Sequence, residues 1–125
     1  MFSSRLRAIV KTNSVRISNL TEALRPRVLL ADDHSGLIAA WRRLLEPSCD
    51  VVGCVRDGRA LFEAAIELEP DVIVADLAMP GMSGFDACRS IKSSLPRTKV
   101  VLVTAGGDEH VARAAFRAGA SAFVL

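Results

Sequence analysis

The chain has 125 residues, half of them apolar and 24% charged, which suffices for one globular domain and excludes a disordered or low-complexity protein. Its formal net charge of +2 is uneven: residues 1–27 hold six Lys/Arg against one acid, while the remainder has ten basic and thirteen acidic residues and offers no general basic surface for nucleic acid. No apolar run approaches the ~20 residues of a membrane span, and the three cysteines, Cys49, Cys54 and Cys88, fit neither a disulfide framework nor a zinc pattern, so free thiols in a reducing cytoplasm are expected.

Residues 1–25 read as a basic N-terminal extension, in which Leu6, Ile9 and Val10 fit one short helical face and Val15, Leu20 and Leu24 another. A tail outside the domain is the plain expectation; a sharper one is that residues 3–24 fold back onto the sheet. From Pro26 the pattern alternates short apolar runs with amphipathic stretches. Val28–Ala31 reads as a buried strand, followed by a helix with Leu37, Ile38, Trp41, Leu44 and Leu45 on its apolar face, closed by Pro47. Val51–Val55 is the second strand. Asp57 caps the second helix, whose core face carries Leu61, Ala64, Ala65 and Leu68 and which ends at Glu69-Pro70. Residues 71–76 form a third strand, apolar on both faces as central parallel strands are. A Met79-Pro80-Gly81 loop leads to a third helix marked by Phe85, Cys88 and Ile91. Lys99–Thr104 is the fourth strand, a helix runs from Glu109 to Arg117, and Ala122–Leu125 begins a fifth strand. Strands separated by single helices predict a doubly wound, five-stranded parallel sheet over residues 26–125, with right-handed crossovers.

In such a sheet, ligands gather beyond the carboxyl ends of the strands. The polar residues expected there are Asp32, Asp33 and His34 after strand one, Asp76 at the end of strand three and Thr104 at the end of strand four. Three neighbouring carboxylates repel unless a cation is shared among them, and hard oxygen ligands suit Mg²⁺. One of the acids could then serve as a nucleophile toward a phosphoryl group, forming an acyl phosphate. Asp32 and Asp33 could otherwise cap the first helix. His34 is expected to be a solvated residue of its first turn, His110 to be exposed, Trp41 and Cys88 to pack in the core, and Met79 and Met82 to pack in their loop.

The runs Arg27–His34, Asp76–Gly84 (Asp-Leu-Ala-Met-Pro-Gly-Met-Ser-Gly), Val101–Ala105 and Gly119–Phe123 together resemble the response-regulator receiver domains of bacterial two-component systems. The Asp-Asp-His opening looks most like the subfamily with a C-terminal helix-turn-helix output domain. The resemblance implies a flavodoxin-like fold and a cytoplasmic signalling switch rather than an enzyme with an external substrate. By matching position it implies Asp76 as phosphoacceptor, with Mg²⁺ held by Asp32, Asp33, Asp76 and the backbone carbonyl of Ala78, and Asp32 acting through a water. It also implies Thr104 as switch hydroxyl and Phe123 as switch aromatic. A sensor histidine kinase is the implied donor, a homodimer through the fourth helix and fifth strand is possible, and DNA is reached only through an output domain not present in this sequence. The family's lysine would fall at position 126 and its fifth helix beyond that. The sequence therefore reads as truncated before both, which leaves an impaired receiver, serving as a protein-interaction module, as the alternative. A haloacid-dehalogenase-like phosphohydrolase would need an acid at Ala78, and a nucleotide-binding protein would need a Gly-rich loop where Asp32 and Asp33 stand.

Overall fold

The computed structural model describes residues 25–124; the readings for residues 1–24 and for Leu125 lie outside them. The strands are β1 (Arg27–Ala31), β2 (Asp50–Val55), β3 (Val72–Asp76), β4 (Lys99–Val103) and β5 (Ala122–Val124), and the helices are α1 (Ser35–Leu45), α2 (Gly58–Leu68), α3 (Gly84–Ser94) and α4 (Glu109–Arg117). All neighbouring strands pair in parallel, in the order β2-β1-β3-β4-β5. This is the flavodoxin-like order, with the winding reversing between β1 and β3.

The three central strands are apolar except at Arg27, Asp76 and Lys99, and most of their side chains are buried on both faces. Leu29, Ala31, Ile73, Ala75, Val100 and Leu102 point into the core shared with Leu61, Ala65, Ala87, Cys88, Ile91 and Ala115 of α2, α3 and α4. Val28, Leu30, Val72 and Val101 point to the opposite side, where Ile38, Trp41 and Leu45 of α1 pack. The stripe that α1 buries is thus narrower than its sequence suggests. Leu37 and Leu44 turn to solvent, Leu44 with 76% of its surface exposed, and Trp41 is half-buried.

Helix ends follow their chemistry. Asp57 accepts the Ala60 N–H at 2.8 Å, Ser83 accepts that of Asp86 at 3.2 Å, and Asp108 accepts those of His110 and Val111. Each bond satisfies a donor that a helix start leaves unpaired. Asp57→Ala is expected to cost about 1 kcal/mol, read as a lower midpoint in urea at unchanged slope; a midpoint equal to the parent's would refute the capping role. At the other end of α2, Glu69 adopts a left-handed conformation (φ 47°) before Pro70. The Arg27 guanidinium donates to the carbonyls of Leu68 and Glu69 that this turn exposes. Arg25 donates in the same way to Glu46 and Cys49 carbonyls, both at 2.7 Å, fastening the entry of β1 to the α1–β2 turn.

The remaining charges do little for the fold. Apart from the contacts of His34, the ion pairs among the described residues join exposed side chains three or four positions apart on one helix: Arg42–Glu46, Arg59–Glu63, Arg89–Asp86 and Arg113–Glu109. Such exposed pairs add little to stability.

Candidate functional site

Strand register assembles the site. Ala31 lies opposite Ala75, and Asp76 opposite Val103. The residues that follow these pairs, Asp32 on one side and Thr104 on the other, therefore flank Asp76 at the carboxyl edge of the sheet. Asp32 N–H donates to the Val55 carbonyl, Leu77 N–H to that of Val103 and Thr104 N–H to that of Val124, so the main chain stays tied as it leaves the sheet.

Asp32, Asp33, His34 and Asp76 each bring a potential ligand atom into one group whose atoms all lie within 4.8 Å of one another. Asp32 is fully buried, and one of its oxygens, Oδ2, has no hydrogen-bond partner; neither has Oδ1 of Asp33. An unpartnered oxygen on a buried carboxylate costs about 1–3 kcal/mol or more, and a hard divalent cation is the group that would satisfy several such oxygens together. The residues present therefore fit Mg²⁺. Burial chiefly, and then the negative field of Asp32 and Asp33, push the Asp76 carboxyl above its ordinary pKa, against the opposing effect of the Ala78 N–H that Asp76 Oδ1 accepts at 3.2 Å.

Neither Asp32 nor Asp33 caps α1. The capping position belongs to His34, whose side chain makes no capping bond. The expected solvation of His34 holds, but the ring also contacts the acids. The His34 side chain is 71% exposed, yet its Nδ1 lies 2.8 Å from Asp32 Oδ1 and 3.0 Å from Asp33 Oδ1. Its own N–H also donates to Asp32 Oδ1. The hydrogen bond with Asp32, followed by the charge of Asp33, raises the pKa of the ring.

Thr104 donates its hydroxyl to the Gly106 carbonyl at 2.7 Å, so in this conformation it serves its own loop. Gly107, one residue on, passes tightly between two sequence-predicted positions. A Cβ there would come within 3.2 Å of the Thr104 methyl and 3.3 Å of the Phe123 ring. Phe123 is half-buried against the core of α2, α3 and α4, and His110 is exposed, as expected.

Two elements of the site escape sequence inspection. Arg56 donates to the backbone carbonyl of Asp33 at 3.1 Å and lines, with Asp33, His34 and Leu37, an open cleft beside the acids. Its signal is positional: it follows Val55, which pairs with Ala31, and so emerges at the same sheet edge. The second is Gly58, the first residue of α2. A Cβ on Gly58 would stand 2.0 Å from the Met82 carbonyl oxygen, and one on Gly84 would stand 2.9 Å from Leu77 Cα. The β3–α3 loop, which carries the Ala78 carbonyl, is thus held closely from both sides.

Comparison with known proteins agrees with this geometry. Residues 28–125 match the response regulator receiver domain family. The chain is 34% identical over 101 residues to the transcriptional regulatory protein LnrK of Bacillus subtilis, covering 79% of this chain and 46% of that protein. It is 40% identical over 97 residues to protein-glutamate methylesterase/protein-glutamine glutaminase 5 of Myxococcus xanthus, covering 75% of this chain and 28% of that protein. It thus spans less than half the length of either relative. Among solved structures, a two-component response regulator of the LuxR family from an Aurantimonas species superposes with a TM-score of 0.76 at 33% identity, over 79% of this chain and 72% of that one.

Proposed function

The chain belongs to the response-regulator receiver family of two-component signalling, and on that premise we propose that Asp76 accepts a phosphoryl group from a sensor histidine kinase in a Mg²⁺-dependent reaction. The observation that supports this most directly is the half-buried Asp76 carboxylate beside a fully buried Asp32 whose Oδ2 has no partner. Asp76, Asp33 and the Ala78 carbonyl would hold the cation, with Asp32 acting through a water. When bound, Mg²⁺ supplies neutralisation of the charge on the transferring phosphoryl oxygens. An Asp76 oxygen attacks phosphorus in line as the bond to the donor imidazole breaks, and the product is an acyl phosphate on a signalling domain rather than a turnover of external substrate.

The new phosphoryl oxygens offer acceptors to the Thr104 hydroxyl, which leaves Gly106 to reach them. Thr104 and Phe123 both lie beside Gly107, so movement of Thr104 would free the Phe123 ring. The face of α4 and β5 carries two of the exposed large hydrophobics, Phe116 and Val124, and is the surface through which two copies would pair. Regulation of transcription, in the cytoplasm, would follow through an output domain outside this sequence.

The test is intact mass after incubation with Mg²⁺ and a small acyl phosphate. Gain of one phosphoryl group, abolished by chelation, is the expected result; no gain would overturn the reading in favour of a receiver used only for protein contacts. Thr104→Val is expected to retain phosphoryl uptake and to erase the accompanying shifts of the Gly106 and Gly107 amide resonances. Persistence of those shifts would remove Thr104 from the switch.

A further inference from the structure

Resting on the reading of the acid cluster as a divalent-cation site, we propose that His34 is a further ligand, through Nδ1, and makes this a mixed nitrogen–oxygen site that takes a borderline first-row dication such as Zn²⁺. The ring is not engaged by the helix it precedes, since at the capping position of α1 it makes no capping bond. The backbone there is extended (φ −100°, ψ 105°), and the ring lies against the acids. It is fixed in that place twice, since both the His34 N–H and Nδ1 lie 2.8 Å from Asp32 Oδ1.

Two of the spacings suit neighbouring ligands of one ion. Adjacent ligands on a six-coordinate ion with bonds of ~2.1 Å stand about 3 Å apart, and Nδ1 is 2.8 Å from Asp32 Oδ1 and 3.0 Å from Asp33 Oδ1. Asp33 Oδ1 has no hydrogen-bond partner although the ring is so near, so proximity there is not hydrogen bonding. The orphaned Oδ2 of the fully buried Asp32 independently calls for a cation. Nδ1 would give its lone pair to the ion in place of a proton shared with Asp32. Imidazole nitrogen strengthens binding of zinc-like metals far more than of Mg²⁺, which prefers oxygen.

A simple counter-ion would behave in the opposite way. If His34 merely balanced the carboxylates, its removal would tighten the binding of every dication. The experiment is calorimetric titration of the whole chain with Zn²⁺ and, separately, Mg²⁺, for the parent and His34→Ala, with circular dichroism to confirm that the fold is kept. Zn²⁺ affinity is expected to fall by at least about tenfold, since groups that only orient metal ligands are themselves worth about 10–100-fold, while Mg²⁺ affinity is unchanged or rises. In the parent, Zn²⁺ should move the His34 imidazole nitrogen resonances and Mg²⁺ should not, a readout that needs no variant. Tighter binding of both ions in His34→Ala, or Zn²⁺ binding indifferent to the substitution, would overturn the proposal and leave the Mg²⁺ site standing. Failure of the parent to bind Mg²⁺ would overturn the acid-cluster reading itself.

Discussion

Asp76→Asn is expected to abolish phosphoryl uptake outright and, in a buffer free of divalent ions, to raise the unfolding midpoint by a few degrees. The first effect follows from the loss of the attacking carboxylate, since an amide is not a nucleophile of that kind. The second follows from the field around it. Burial and the charges of Asp32 and Asp33 raise the Asp76 pKa in the folded state. For a group so raised, the favourable contribution to stability exists below the unfolded pKa and is lost as pH climbs through the folded one. At neutral pH the carboxylate therefore opposes folding, and the neutral amide of the same shape relieves that opposition. Saturating Mg²⁺ should narrow or reverse the difference, because only the parent retains its full ligand set and binding stabilises the folded state. Thermal unfolding of both proteins, with and without Mg²⁺, checks the sign in each condition. A variant less stable than the parent in chelator would show that the acids are not in conflict.

Gly58→Ala should be the most damaging single methyl in the domain, costing about 3 kcal/mol or more and about 10 °C or more in the unfolding midpoint. A Cβ placed 2.0 Å from the Met82 carbonyl oxygen and 2.8 Å from its carbon meets main chain, which cannot swing aside as a flexible side chain would. Either α2 lifts away from the core that Leu61 and Ala65 help to form, or the β3–α3 loop shifts and carries the Ala78 carbonyl with it. The substitution should therefore weaken Mg²⁺ binding as well as stability, although Gly58 is not a ligand. Gly36→Ala, in the first turn of α1, is the control, because a Cβ there meets nothing within 4 Å and alanine is favoured over glycine in a helix. Similar losses in both variants would contradict the steric argument.

The fold was largely readable in the sequence where local chemistry and tertiary demand coincide. β1, β3 and β4 are apolar on both faces because both are covered, and Asp57, Ser83 and Asp108 stand where helices begin. Asp32, Asp33, Asp76 and Thr104 could be assigned to one edge because parallel strands all end on the same side. The remainder depends on distances that periodicity does not encode. The helical repeat places Leu37 and Leu44 on the apolar face of α1, but how the helix lies on the sheet leaves both in solvent. Glu69 takes a left-handed turn usually left to glycine, with Arg27, far away in sequence, bonded to the carbonyls beside it. The contact of the His34 ring with Asp32 and Asp33 is a matter of local geometry, and the approach of Gly58 to Met82 joins residues 24 positions apart. Neither leaves a trace in composition or spacing.

The confinement of ordinary ion pairs to exposed neighbours on single helices has a practical consequence. Background ionic strength acts on such pairs only weakly, both because each contributes little and because salt already screens them. The acids around Asp32 are a dense concentration of like charge. Among the described residues, the salt dependence of the melting temperature therefore reports mainly on that cluster. Monovalent salt should raise it gradually by screening the acids, and micromolar-to-millimolar amounts of a bound dication should raise it in a saturable curve. The whole domain thus serves as a thermometer for one small cluster of oxygens, and no label is needed to read it.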